Sequence, residues 1–367
     1  MSRVLLVGAS TRAAAESAAR AGFDVVSYDA FADADQHPRV DAHAVPGRFT
    51  PRAAERVARH VTADAVAYLS PFENHPTIVE AFASGRRLWG NTPDVLRRVR
   101  DPRLLMGALI RRGVVTPDDH RSQIANQQWL LKPIRSGGGQ RIRLATANAP
   151  VPRACYRQRF VEGTPGSVVF LAGRGRVATL GLSRQLVGDP AFGAAGFRYC
   201  GSIVDSFSRD TVARADALAR AVGEEFGLVG ANGVDFILCD GVPVAIEVNP
   251  RWCSSMDVIE RVTGMSVLAA HARACETGEI PDPLPSPTMA AGKAIVFAQR
   301  AVTVGDNRHW LTDDDVRDVP HRGERIAAGR PVCTVYASAA DGASCYDALV
   351  AKAAAIREQL EEWRTAA

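Results

Sequence analysis

Two stretches of this chain carry residue types that could act together on a charged substrate. In the first, an apolar run at 129–131 ends in Lys132, and Pro133, Ile134 and Arg135 lead into Ser136-Gly137-Gly138-Gly139. A lysine ammonium is a compact point charge, and glycines let the backbone approach phosphate oxygens closely. In the second, Asp235 lies on one apolar run and Glu247 and Asn249 on the next, with Asp240-Gly241 between them and Pro250-Arg251 after them. Asp-Gly between two such runs is a strong hairpin signal. Period-two alternation then puts Glu247 and Asn249 on one face, where Asp235 can approach them across the ladder. Two carboxylates and an amide oxygen aimed at one spot repel unless a cation lies between them, and Mg²⁺ bridging phosphates answers that need. Arg251 stands where it could steady an anionic substrate or a transferring phosphoryl group. The pair reads as a nucleoside-triphosphate site. The plainer alternatives are a hairpin tip at 137–139 and solvated hairpin carboxylates at 235–249. No G-x-x-x-x-G-K-[ST] occurs, which argues against a P-loop NTPase.

The elements that must position these residues follow from patterning. A strand at 3–9, a helix at 12–21 stopped by Gly22 and a strand at 24–29 form a βαβ unit, hence a parallel sheet. The turn at Gly8 lacks G-x-G-x-x-G, so a nicotinamide cofactor is not indicated. The pattern continues through helix 51–61, strand 65–70, helix 76–84 and strand 87–89. Glu73, Asn74 and His75 fall at the carboxyl end of a strand, where open α/β sheets bind ligands; the plain alternative is a helix N-cap at Asn74. Asp101-Pro102 opens a helix to about 112, and 118–128 is a polar connection. Strands are expected at 129–132, 140–145, 155–161, 167–170, 177–184 and 201–204. A long helix at 209–226 precedes the two ligand strands, and a helix at 255–275 follows them. The proline-rich 281–287 reads as a linker. Strands at 294–299 and 332–337 and a helix at 343–363 make a small C-terminal α/β cap. The expected domains are 1–100, 101–285 and 286–367.

Composition narrows the class. A chain of 367 residues suggests two or three domains. With 44 basic and 40 acidic residues, the net charge of +4 is too balanced to argue for nucleic acid. Lysine occurs only at 132, 293 and 352, which gives weight to Lys132. Seven widely spaced cysteines with no C-x-x-C suit neither a disulfide framework nor a zinc site. No apolar run approaches the ~20 residues that span a bilayer, and no signal peptide is evident, so a cytoplasmic protein is expected.

Lys132-Pro133 with Ser136 to Gly139, the run Gln158-Arg159-Phe160-Val161-Glu162-Gly163, and Gly233 to Phe236 with Ile246 to Arg251 resemble the ATP-grasp superfamily in order and spacing. The likeness covers most of the chain. It implies an α+β ATP-grasp core of two subdomains after a Rossmann-like parallel-sheet domain. ATP would lie between the subdomains, with Lys132, Ser136, Gly137, Gly138 and Gly139 on its phosphates. The hinge backbone at Phe160 and Val161, with Gln158 nearby, would take adenine. Asp235, Glu247 and Asn249 would bind two magnesium ions, or manganese in their place. Two departures from the family pattern stand out. The usual second lysine, on the α-phosphate, is replaced by arginine (Arg103, or Arg100), and Glu162 stands in for the ribose-binding acid. Within the superfamily the chain resembles the "predicted ATP-dependent carboligase related to biotin carboxylase" group. The corner at 70–74, Gly90-Asn91-Thr92-Pro93, Arg184-Gln185, the loop 192–201 and the stretch 326–334 carry that likeness.

The resemblance implies an ADP-forming carboxylate–amine ligase working through an acyl phosphate, in coenzyme biosynthesis linked to one-carbon metabolism. Lys132 and Arg251 are the expected catalytic residues. Glu73, Asn74, Arg184, Gln185 and Gly201 are the expected contacts to small-molecule carboxylate and amine substrates, and a homodimer is common in such families. Two other readings keep the fold: a bicarbonate-dependent carboxylase of biotin-carboxylase type, and a non-catalytic nucleotide-binding protein.

Overall fold

The computed structural model describes residues 2–117, 128–282, 284 and 287–365. The expected connection at 118–128 lies outside the described residues except for Gln128, and the expected linker at 281–287 lies partly outside them.

The first unit contains β1 (Arg3–Val7), α1 (Arg12–Arg20), β2 (Asp24–Asp29), β3 (Val40–Ala44), α2 (Pro51–Ala58), β4 (Ala65–Tyr68), α3 (Pro76–Ala83) and β5 (Arg87–Trp89). Its strands pair in the order β3-β2-β1-β4-β5, all parallel. The apolar run of β1 is central and buried from Val4 to Val7, as a strand covered on both faces requires. Strand β3 has no counterpart among the expected elements. Its sequence, VDAHA, is polar and half-exposed because it forms the sheet edge.

After α4 (Pro93–Val99), α5 (Pro102–Arg111) begins at the expected cap, where Asp101 accepts from the N–H groups of Arg103 and Leu104. A small antiparallel sheet follows, from β6 (Trp129–Pro133), β7 (Arg143–Ala145) and β8 (Cys155–Arg159), in the order β7-β6-β8. The strand expected at 140–145 is shorter because Gly138, Gly139 and Arg141 all have left-handed φ angles.

The remaining elements are β9 (Thr164–Gly173), β10 (Arg176–Val187), β11 (Tyr199–Val204), α6 (Arg209–Phe226), β12 (Gly230–Cys239), β13 (Val242–Asn249), α7 (Met256–Thr263), α8 (Val267–Thr277), β14 (Ala290–Phe297), β15 (Val302–Thr303), β16 (Val316–Arg317), β17 (Arg325–Ile326), β18 (Pro331–Ala339) and α9 (Gly342–Thr365). One eight-stranded antiparallel sheet runs β13-β12-β9-β10-β11-β14-β18-β16. The C-terminal strands thus extend the sheet that carries the carboxylate hairpin. The junction is close: a Cβ on Gly201 would lie 2.2 Å from the Lys293 carbonyl oxygen. The helix expected at 255–275 is two helices. Gly264, at φ +71°, ends α7, and Ser266 accepts from the Ala269 N–H to start α8.

Helices α5 and α6 share one core with β9, β12 and β13. Helices α7 and α8 share another with α1 and β1, which ties the first unit to the large sheet. Among the described residues no helix is long and apolar enough to cross a membrane.

Candidate functional site

The hairpin forms as its turn chemistry dictates. Asp240 and Gly241 take φ angles of +48° and +78°, joining β12 to β13 through two residues. The register sets Asp235 directly opposite Glu247 and Gly233 opposite Asn249, with a bulge at Ile246. The carbonyl of that bulged residue accepts from Gln158 Nε2 at 3.2 Å, so the small sheet docks on the hairpin there. Lys132 of β6 stands opposite Tyr156 of β8 and diagonal to Gln158, and Lys132 Nζ donates to Gln158 Oε1 at 3.1 Å. The Lys132 ammonium also lies 5.8 Å from the Tyr156 ring centroid.

The charges are strongly coupled. Burial works against the Lys132 cation, but Tyr156, Glu247 and Asp235 outweigh it and hold its pKa above that of an ordinary lysine. Burial, then repulsion from Glu247, push Asp235 up to about 6 despite hydrogen bonds from Ser167 and Asn249. Burial raises Glu247 too, yet Arg100, Lys132 and Arg251 more than offset it and hold its carboxyl below the usual range. Asp235 accepts from Gln185 Nε2 at 2.8 Å and from Asn249 Nδ2 at 2.9 Å. Asn249 Oδ1 accepts from Arg251 at 3.0 Å.

Two arginines bind this hairpin to the first unit. Arg251 donates twice to Glu73 Oε1, at 3.1 and 2.9 Å, and the Glu73 side chain is fully buried. Arg100 donates to Glu247 Oε1 at 2.7 Å, to the Val248 carbonyl at 2.8 Å and to Asn74 Oδ1 at 3.1 Å, and reaches the Ser136 carbonyl at 3.4 Å. Asn74 therefore does not cap α3; the residue at that cap is His75, whose side chain makes no capping bond. Tyr68 and Asn91 hold the turn after β13 by donating to the Pro250 carbonyl at 3.1 Å each.

The glycine loop is closed against its neighbours. The Tyr199 N–H donates to the Gly138 carbonyl at 3.1 Å. A Cβ on Gly139, at φ +72°, would fall 1.6 Å from the Phe197 carbonyl oxygen. Only glycine fits that approach.

The structure thus gathers Lys132, Gly138, Gly139, Gln158, Phe160, Val161, Glu162, Gln185, Asp235, Glu247, Asn249 and Arg251 around one cleft of about 710 Å³. Ser136 and Gly137 lie on the same loop, with Gly137 against Ser70 of the first unit. Glu73 and Asn74 contact the site through the two arginines. Three expected residues are elsewhere. Arg103 is exposed on α5. Arg184, one position out of phase with Gln185, lies 5.6 Å over the Tyr346 ring on α9. Gly201 serves strand packing against β14. Tyr156 and Ser167 were not expected. Tyr156 had one legible signal, its register two residues before Gln158 on the same strand.

Among the described residues no group of three His, Cys, Asp or Glu side chains converges as a metal cage. The donor set at the hairpin is two facing carboxylates, one pushed up to about 6 by its burial and its neighbour, with an amide beside them. That arrangement fits a divalent cation.

Comparison with known proteins agrees with this fold. The ATP-grasp domain family model matches residues 99–255. An uncharacterised protein of Methanocaldococcus jannaschii is 26% identical over 114 residues, covering 31% of this chain and 27% of that protein. The chain thus matches about a quarter of that relative's length. Among solved structures, biotin carboxylase from Campylobacter jejuni, in a βγ-ATP complex, superposes with a TM-score of 0.70 at 14% identity, covering 93% of this chain and 88% of that one. L-amino acid ligase from Bacillus licheniformis gives 0.68 at 17% identity, covering 99% and 98%. N5-carboxyaminoimidazole ribonucleotide synthetase from Thermotoga maritima gives 0.63 at 16% identity, covering 95% and 96%. At these identities the likeness establishes the fold.

Proposed function

We propose that this chain, which carries an ATP-grasp domain at residues 99–255, is an ATP-dependent, ADP-forming carboxylate–amine ligase. A substrate carboxylate oxygen attacks the γ-phosphorus of ATP, the bond to the bridging oxygen breaks, and ADP leaves an acyl phosphate. The amine then attacks the acyl carbon, phosphate departs, and the amine proton is lost. One observation carries the reading: Lys132 and the paired carboxylates Asp235 and Glu247 face a single cleft from two sheets, with the apolar hinge at Phe160 and Val161 between them.

In this reading the apolar slot at Leu130, Phe160, Val161 and Ile237 takes adenine, and Glu162 takes ribose. Lys132 and the 136–139 loop hold phosphate. Asp235, Glu247 and Asn249 would hold magnesium, which when bound neutralises phosphate charge. Arg100 takes the place of the second phosphate lysine, since it is the arginine that reaches both Glu247 and the glycine loop. Arg251, oriented by Glu73, steadies the anionic reacting group. Domains at 1–100, 101–285 and 286–367, a cytoplasmic homodimer and a role in coenzyme biosynthesis complete the proposal.

The reading is tested by ADP release in the presence of MgATP and a panel of acids and amines, with mass spectrometry of the product. Release that requires both an acid and an amine supports it; release that requires bicarbonate overturns it in favour of a carboxylase. That second reading is supported by the comparable fit to biotin carboxylase. A melting-temperature shift with nucleotide but no ADP release with any substrate would favour the non-catalytic nucleotide-binding protein, and no shift at all a degenerate fold.

A further inference from the structure

Beyond Arg251 the cleft continues to an end that the nucleotide residues leave unused. It is walled by Asp257 of α7, Lys293 of β14, Asp318 after β16 and Thr334 of β18, with the first turn of α1 along the remaining side. Charges of both signs are held there in fixed places. Lys293 is 6% exposed, and its Nζ donates to Asp257 Oδ2 at 2.7 Å. Asp257 has further partners: Oδ2 also accepts the Tyr336 hydroxyl at 2.6 Å, and Oδ1 accepts the Val258 N–H at 2.8 Å. An ammonium has three donors, so two N–H bonds of Lys293 have no protein partner among the described residues.

Asp318 is fixed just as firmly. Its Oδ1 accepts from Arg12 Nε at 2.7 Å, and its Oδ2 accepts from the Thr334 hydroxyl. Its backbone has φ +55°, a conformation that L residues keep only where the surroundings impose it. Those surroundings are visible: Asp35 accepts from the N–H groups of Asp318 and Val319 at 3.1 and 2.8 Å. The Asp318 side chain keeps 28% exposure, towards the cleft, while Arg12 behind it is 2% exposed.

We infer that this end of the cleft binds the ammonium and carboxylate of an α-amino acid. Asp318 and the Thr334 hydroxyl oxygen receive the ammonium. Lys293 receives the carboxylate. A simple amine would leave the Lys293 donors desolvated and unmatched, and a simple acid would set no cation against the exposed side of Asp318. The inference deepens the ligase reading by making one of its two substrates an amino acid, and it rests on that reading.

The test is calorimetric titration of the wild-type chain with each proteinogenic L-amino acid, with and without MgATP, nucleotide binding being scored separately. The tightest amino acid is then compared with its des-amino acid and its decarboxylated amine. Both truncated analogues are expected to bind about ten-fold or more weakly. Asp318→Asn should abolish the preference over the des-amino acid alone. Lys293→Met should abolish the preference over the decarboxylated amine alone, with Lys293→Arg restoring it. No amino-acid binding while MgATP binds, or truncated analogues binding as tightly as the amino acid, would overturn the assignment. The wild-type analogue series decides the matter even if a variant fails to fold.

Discussion

The small sheet and the β12–β13 hairpin face the same cleft from opposite surroundings. Among the described residues, no side chain of the small sheet belongs to a hydrophobic core cluster. Arg135, Arg141, Arg143, Arg153, Arg157 and Arg159 are exposed on and around it, and no Asp or Glu occurs from 128 to 161. It is held by a few directed contacts: Gln158 to Ile246, Tyr199 to Gly138, and Arg100 to Ser136. The hairpin is the reverse. Val234, Phe236, Ala245 and Val248 are buried in a shared core with α5 and α6, and of its two acids Glu247 is paired with Arg100. One wall offers positive charge on a lightly anchored frame. The other offers fixed negative charge on a rigid one, which suits a polyanion on one side and a cation on the other.

The contrast is breakable at several points. The largest effect is expected from Glu247→Gln or Lys132→Ala, each lowering ADP release by about 10²–10³-fold or more, while circular dichroism shows the fold retained. Unchanged turnover would remove these residues from the site. Next, Arg100→Ala should weaken MgATP binding and destabilise the protein by about 3 kcal/mol, because Glu247 loses its buried partner. Arg103→Ala should stay within about 0.5 kcal/mol of wild type. Equal effects in thermal melts and titrations would erase the distinction between the two arginines.

Acidity should divide the carboxylates as well. Asp235 is raised to about 6 in the folded chain, so ionised Asp235 disfavours the apo fold. That cost is fully present above about pH 6 and is relieved as pH falls towards the ordinary Asp range. Glu247 is lowered, so its contribution is present above the ordinary Glu range and is lost as pH falls through its folded value. In the proposed reading Mg²⁺ is held by both carboxylates ionised, so the thermal shift caused by MgATP should grow as pH rises through about 6 and then level off. A flat profile would separate Asp235 from the metal. The smallest effect concerns steering: replacing Arg141 and Arg143 by Ala should slow nucleotide association only a few-fold, and only at low salt. Stopped-flow rates at two ionic strengths would show it.

The local features were the legible ones. Asp240-Gly241 announces a two-residue turn through its own backbone preferences, and period two then sets Asp235, Glu247 and Asn249 together. The N-cap at Asp101 and the buried run of β1 are equally local. Arg184 was misread because neighbouring strand residues point to opposite faces, and a dipeptide motif does not say which one faces the cleft. The helix expected at 255–275 failed at Gly264: a glycine in the sequence fits either a tolerated helix position or a stop, and the folded chain puts it in the left-handed conformation that ends α7.

By itself the sequence determined the parallel first sheet, the ligand hairpin and the lysine–glycine stretch, because turn chemistry and strand periodicity act over a few residues. Tertiary structure alone decided that Arg100 rather than Arg103 reaches Glu247 and that Glu73 pairs with Arg251. It also decided that the C-terminal strands extend the large sheet and bring Lys293 and Asp318 to the far end of the cleft. Those outcomes depend on pairings between residues more than a hundred positions apart, as Arg100–Glu247, Arg251–Glu73 and Arg12–Asp318 are. Only the packed chain can satisfy their charges.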